Sequence, residues 1–200
     1  MTRLGWILLL AFAIVIGSFV LMVRHGGGMT SAPQSANMSS LGSQLAPASA
    51  AMPAGGGLII PVAGVTPVQL TDTWGDARGD GTRAHHAIDI MAPRGTPVLA
   101  AAAGTVERIF ESRNGGHTVY IRRLDRGWQD YYAHLDAYAS DLREGLAVKQ
   151  GQQIGEVGSS GDASPDAPHL HYEIHQMAPG DDWWKGTEIN PYPILRSLHG

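Results

Sequence analysis

Between Pro168 and Ile174 the chain alternates strictly, with Leu170, Tyr172 and Ile174 on one side and His169, His171 and Glu173 on the other. A period of two is the signature of an extended strand whose apolar face is buried against a sheet. The same pleat that buries the leucine, tyrosine and isoleucine aims two imidazoles and a carboxylate at the opposite face. Paired histidines on a rigid strand can hold a metal, carry protons or divide those tasks. A solvated polar face that happens to carry histidine would look the same in this stretch alone.

The surrounding chain fits a β-rich domain. From Leu58 onward, short runs of β-forming residues alternate with turn signals: Pro93-Arg94-Gly95, Asn114-Gly115-Gly116, Asp125-Arg126-Gly127 and Ser159-Ser160-Gly161-Asp162. These place strands near 58–62, 86–91, 97–102, 104–111, 117–123, 128–135, 153–157 and 169–175. One short helical piece is expected from Tyr138 to Arg143, ending at Glu144-Gly145. The fold class is therefore all-β, a compact antiparallel two-sheet domain over 58–200. The 26 glycines and 12 prolines agree with many turns and few long helices.

Two different segments precede this domain. Trp6 to Val23 is a charge-free run of 18 residues flanked by Arg3 and Arg24. As a helix it would measure roughly 27 Å, enough to cross a bilayer core. The run exceeds the h-region of a cleaved signal, and the bulky Leu21-Met22-Val23-Arg24 offers no cleavage site. Residues 1–23 thus read as an uncleaved transmembrane signal anchor. Residues 24–57 are rich in Gly, Ala, Ser and Pro, with Arg24 their single fixed charge. Such a composition cannot bury enough apolar surface to order itself, so a disordered, flexible linker is expected. Its span would be roughly 30 Å, rising to about 110 Å when stretched.

Charge and cysteine content remove several functions. Of 14 Lys and Arg, two (Arg3 and Arg24) precede the domain, leaving 12 against 18 acids, a net of −6. That balance disfavours nucleic acid as a partner. Without cysteine there is no disulfide framework and no thiolate site, so any metal has nitrogen and oxygen ligands.

Such donors cluster at a few places. His85-His86-Ala87-Ile88-Asp89 sets His85 and Asp89 four apart, on one side of either a strand or a helix. Tyr131-Tyr132-Ala133-His134-Leu135 ends a third strand with a histidine, and His169 and His171 complete the set. Two imidazoles and a carboxylate are a donor set for catalytic zinc, leaving a net +1 to lower the pKa of water and polarise a carbonyl. Peptide hydrolysis also needs a proton acceptor and a donor, work suited to two further histidines.

With these motifs in hand, the domain resembles the lysostaphin/LytM-type zinc metallopeptidases, peptidase family M23. Their H-x-G-x-D, Y-x-H-L and P-H-[LV]-H-[FY] signatures correspond to His85–Asp89, Tyr132–Leu135 and Pro168–Tyr172. Ala92–Val98, Ala103–Val106, Gly151–Gly155 and Ile189–Pro193 are similar too, so the likeness covers roughly 60–200. The resemblance implies a duplicated-hybrid-motif-like fold, one zinc on His85, Asp89 and His171, and a catalytic pair His134 and His169. It also implies a peptidoglycan hydrolase that cuts stem peptides or crosslinks, and that function, taken with the anchor read from 1–23, places the domain on the extracytoplasmic side of the cytoplasmic membrane. A catalytically silent wall-binding or amidase-activating module on the same fold is the alternative. Ala87, where the family usually has glycine, is the one departure, expected to pinch the groove or shift the strand.

Of the other residues, His25, His86, His117, His175 and His199 read as exposed or structural. Glu173 reads as either a partner for an imidazole N–H or a rim acid. Trp183-Trp184 reads as a cleft wall or as packing against the sheet. Asn190-Pro191-Tyr192-Pro193 reads as a rigid closing turn.

Overall fold

The computed structural model describes residues 57–79 and 81–198. The expected anchor at 1–23 lies outside the described residues, as does all of the 24–57 linker except Gly57. Among the described residues no helix is long and apolar enough to cross a membrane.

The described residues form eleven strands in chain order: β1 (Ala77–Arg78), β2 (Arg83–Ala84), β3 (Ile88–Met91), β4 (Pro97–Leu99), β5 (Gly104–Ser112), β6 (Gly116–Arg123), β7 (Trp128–Tyr138), β8 (Ala147–Val148), β9 (Gln153–Val157), β10 (His169–Gln176) and β11 (Thr187–Ile189). One short helix, α1 (Pro191–Arg196), closes the described chain. The domain is all-β and antiparallel, as the turn spacing predicts. Its hydrogen bonds divide differently from the expected two sheets: nine strands form one continuous sheet, and β1 and β2 form a separate ribbon. The sheet stays joined because β7 changes partner along its length, pairing β10 over Trp128–Ala133 and β9 over Leu135–Tyr138.

Strand β10 is the centre of the arrangement. One edge pairs β7, while the other pairs β3 near its start and β11 near its end. Leu170, Tyr172 and Ile174 are fully buried, and they pack with Ile88, Ile90, Ile121, Tyr132 and Leu135 in a single core. A buried polar network pins this side of the sheet. Asp130 accepts two bonds from the Arg123 guanidinium and a third, at 2.6 Å, from the Tyr172 hydroxyl. Three strands are thereby held in register by a paired, fully hydrogen-bonded carboxylate, the form in which a buried charge is tolerated.

Three sequence expectations fail locally. The 58–62 segment forms no regular strand beyond the Val62–Val98 bridge: it runs beside 97–101, with Ile59 N–H donating to the Ala101 carbonyl and Leu99 N–H to the Pro61 carbonyl, but Pro61 has no N–H to donate in return. The helix expected over Tyr138–Arg143 is absent, since Tyr138 is committed to β9 and the chain then turns, Leu142 N–H donating to the Ala139 carbonyl. The closing segment expected to be a turn forms α1 instead. The Asn190 side chain caps its start by accepting from Tyr192 N–H at 2.9 Å, and Pro191 occupies the first turn.

Candidate metal centre and groove

A groove of about 570 Å³ opens on the polar face of β10. Three elements bring donors to its floor. Asp89 on β3 is the cross-strand partner of His171 on β10, so their side chains leave the sheet side by side. His85 lies just before β3, held by backbone bonds to the 75–76 segment.

These three residues converge. His85 Nε2 lies 3.1 Å from Asp89 Oδ1 and 3.1 Å from His171 Nδ1, and His171 Nδ1 lies 3.2 Å from Asp89 Oδ1. A tetrahedral ion with bonds of about 2.0–2.1 Å has ligand atoms roughly 3.3–3.4 Å apart, so the triangle is close to that size. The lone pairs point the right way as well. His85 Nδ1 donates to the Thr73 carbonyl at 2.7 Å, which leaves Nε2 unprotonated toward the other two. His171 Nε2 donates to Glu173 Oε1 at 2.9 Å, which turns Nδ1 the same way. Such outer bonds fix the tautomer of metal-binding imidazoles. The donor set therefore fits a divalent cation that accepts nitrogen and oxygen ligands.

Electrostatics are consistent with cation binding. Burial favours the neutral Asp89 acid, but hydrogen bonds from His171 and His85 outweigh it and hold this carboxyl well below the usual range. Glu173 is likewise brought down to about 2, because bonds from His171 and His175 outweigh its burial. Burial disfavours the charged His171 ring, yet bonding to Asp89 and Glu173 raises it to about 9. A cation bound there displaces that proton, so binding is coupled to proton release.

His134 and His169 stand beside this triangle. Their rings are 5.0 Å apart in an edge-on arrangement, and His134 is 5.5 Å from the His171 ring. Each Nδ1 donates to a backbone carbonyl at 2.8 Å, Ser160 for His134 and Ala167 for His169. In both rings Nε2 is the nitrogen left to the groove, and that of His169 lies 3.7 Å from Asp89 Oδ1. Burial is the main cause that lowers His134 to about 4, so it is neutral at physiological pH.

Simple alternation would not bring His134 here. Tyr131 and Ala133 take the groove side of β7 and Tyr132 the core side, so the next residue should face the core. Instead His117 pairs Leu135 while Val119 pairs Tyr132, leaving Ala133 and His134 opposite the single residue Thr118. This is a β-bulge, and His134 occupies it at φ 60°. The extra residue swings His134 to the groove and returns Leu135 to the core, where it is fully buried. Two turns support the bulge. The Gly115 carbonyl accepts from His134 N–H at 2.8 Å, and the Asn114 carbonyl accepts from Asp162 N–H at 2.9 Å. At Gly161, φ is 77° and a Cβ would overlap the Asn114 carbonyl, so only glycine allows the two turns this contact.

All five residues named from sequence thus line one groove: His85, Asp89, His134, His169 and His171. Ala87 does not pinch it, being fully buried, outside the groove lining and free of left-handed strain. His86 stacks on Trp74 and stands apart from the converging triangle. Glu173 is a partner for His171, not a rim acid. His175 is buried, and its Nε2 contacts the second Glu173 oxygen at 2.5 Å. Trp183 packs on Phe110 and Tyr120, so the two tryptophans are no wall of the groove. Sequence reasoning missed Arg78, whose guanidinium bonds the second Asp89 oxygen, and Tyr131, which sets its ring edge-on to His171 at 6.0 Å.

The family model for peptidase family M23 matches residues 83–191, more than half of the chain. The chain belongs to peptidase family M23. This M23 chain is 38% identical over 138 residues to the L-Ala--D-Glu endopeptidase of Bacillus subtilis, covering 66% of this chain and 41% of that one. It is 45% identical over 114 residues to the DD-carboxypeptidase/endopeptidase Mpg of Neisseria meningitidis, covering 56% and 23%. The chain spans less than half the length of these curated relatives. Among solved structures, the catalytic domain of the antimicrobial peptidase lysostaphin from Staphylococcus simulans matches with a TM-score of 0.53 at 28% identity, covering 64% of this chain and 92% of that one.

Proposed function

We propose that this M23 chain is a zinc metalloendopeptidase that hydrolyses peptide bonds in peptidoglycan stem peptides or crosslinks. The observation that carries the reading is the convergence of His85 Nε2, Asp89 Oδ1 and His171 Nδ1 beside two further imidazoles in one groove. Zinc held by these three residues would supply positive charge that lowers the pKa of water and polarises the scissile carbonyl. His134 and His169 each spend Nδ1 on a backbone carbonyl and leave Nε2 to the groove side. Either can take the proton of the attacking water, and the ring that has taken it can then donate to the departing amine. The carbonyls of Ser160 and Ala167 keep the rings oriented through the transfer, since Nδ1 stays protonated throughout. A silent binding module would have no need of this complete set of donors.

The relatives named as endopeptidases support wall peptide as the substrate class, and the reading extends to cellular placement. Residues 1–23 anchor the chain in the cytoplasmic membrane, and 24–57 give the 58–200 domain reach into the wall on the extracytoplasmic side. The test is mass analysis of fragments released from purified sacculi by the full chain, with and without chelator. New peptide ends that vanish with chelator are expected; intact sacculi, or fragments indifferent to chelator, would sink the proposal.

A further inference from the structure

The β1–β2 ribbon carries a charge arrangement that its own fold does not explain. Arg78 and Arg83 are directly opposite each other in its register, so their side chains share a face, and both line the groove. Like charges placed opposite on paired strands destabilise the pairing. Only one of the two is answered. Arg78 is bound to Asp89, whereas Arg83 has no acidic partner among the described residues, and its guanidinium folds over Gly79. The acids nearest the metal ligands are already committed, Asp89 to Arg78 and its histidines and Glu173 to His171 and His175. Asp162 and Glu188 also line the groove, but neither forms an ion pair with Arg83.

We infer that Arg83, with Arg78 beside it, forms a carboxylate-binding subsite that selects acid-bearing peptides over neutral, glycine-only ones. This rests on the endopeptidase reading above. A guanidinium offers a planar fork of donors that matches a carboxylate bidentately. Position sets which carboxylate is read. Arg78 touches the proposed ligand Asp89, and Arg83 is its register partner lining the same groove, so Arg83 reads a part of the peptide flanking the scissile bond. A stem peptide with a free acid there gives the Arg83 fork an anionic partner, and a run of glycines does not.

The test compares kcat/KM of the full chain on one stem peptide in three forms: internal carboxyl free, internal carboxyl amidated, and C-terminal carboxyl amidated. Pentaglycine serves as the neutral control. We expect the free acid to be preferred over its internal amide by roughly five- to ten-fold, the range of a partly exposed charge-assisted contact. Arg83→Glu should invert that ratio, and Arg83→Lys should keep part of it; a structural role would leave the ratio alone. If the loss instead follows C-terminal amidation and is abolished by Arg83→Glu, the subsite stands and reads the chain end. A wild-type ratio near one, or a ratio unchanged in Arg83→Glu, overturns the subsite. Should no peptide be cleaved at all, the endopeptidase reading fails separately, and calorimetric binding of the same peptides decides. Tighter binding of the acid that Arg83→Glu removes supports the subsite, and equal binding of acid and amide overturns it.

Discussion

Strands β7 and β10 lie side by side, and both deliver histidine to the groove, yet by opposite means. Strand β10 does so by obeying its pleat: His169 and His171 face out because Leu170 and Tyr172 face in. Strand β7 does so by breaking it, spending an extra residue and a left-handed backbone on His134. The difference teaches where rigidity and strain are placed. The proposed ligand His171 sits on regular, doubly paired strand, where its position is over-determined. The proposed proton carrier His134 sits on a bulge at the point where β7 changes partner from β10 to β9. A backbone outlier at a groove with perturbed imidazoles is the kind of strain that function retains.

The largest test of this contrast is on the regular strand. His171→Ala removes one donor of the triangle, and zinc content and wall-peptide cleavage should both fall to background. Retention of stoichiometric zinc would break the assignment. Next comes His134→Asn, a residue that tolerates left-handed backbone and keeps no titrating ring. Cleavage should fall by about 10²–10⁴-fold with zinc retained, the range for loss of a proton-transfer group. Its stability profile sharpens the point. His134 is lowered to about 4 in the fold against an ordinary 6.5, so the unfolded chain binds the extra proton between those values. In metal-free protein, wild-type stability should therefore drop as pH falls from about 6.5 to about 4, more steeply than in His134→Asn. Denaturant titrations at both ends of the window measure it.

Glu173→Gln gives a smaller effect. It keeps the shape but weakens the bond that orients His171, and zinc affinity should fall by about 10–100-fold in a chelator competition. The smallest effect isolates the bulge. Both His134→Gly and His134→Ala lose the ring, but glycine accepts φ 60° without cost, so the glycine variant should be more stable by about 1 kcal/mol. Equal stability would mean the left-handed residue is not strained.

This contrast also explains what was legible in the sequence. The polar and apolar faces of β10 follow from period two, and strands β5, β6, β7 and β9 from β-forming runs between turn residues. The donor types were equally visible. Their meeting followed only from the family resemblance, because His171 pairs Asp89 across 82 residues, and no local pattern encodes that register. Nor could His134 be aimed from alternation, since the bulge that turns it depends on the Gly115 and Ser160 carbonyls in two other turns. The strands β1 and β2 hide in Ala77-Arg78-Gly79 and Thr82-Arg83-Ala84, a glycine-rich stretch with no apolar face. Arg78, which no motif carries, went unseen with them. At Tyr138 the expected helix lost to tertiary pairing, a contest that local propensity cannot judge.

The most direct test of the whole account is a competitive zinc titration of the full chain alongside His85→Ala, Asp89→Asn and His171→Ala. One tightly held zinc in the natural protein, weakened in every variant, is the expected result. A natural chain that takes up no zinc, or a triple set of variants that binds it undiminished, would contradict the proposed centre.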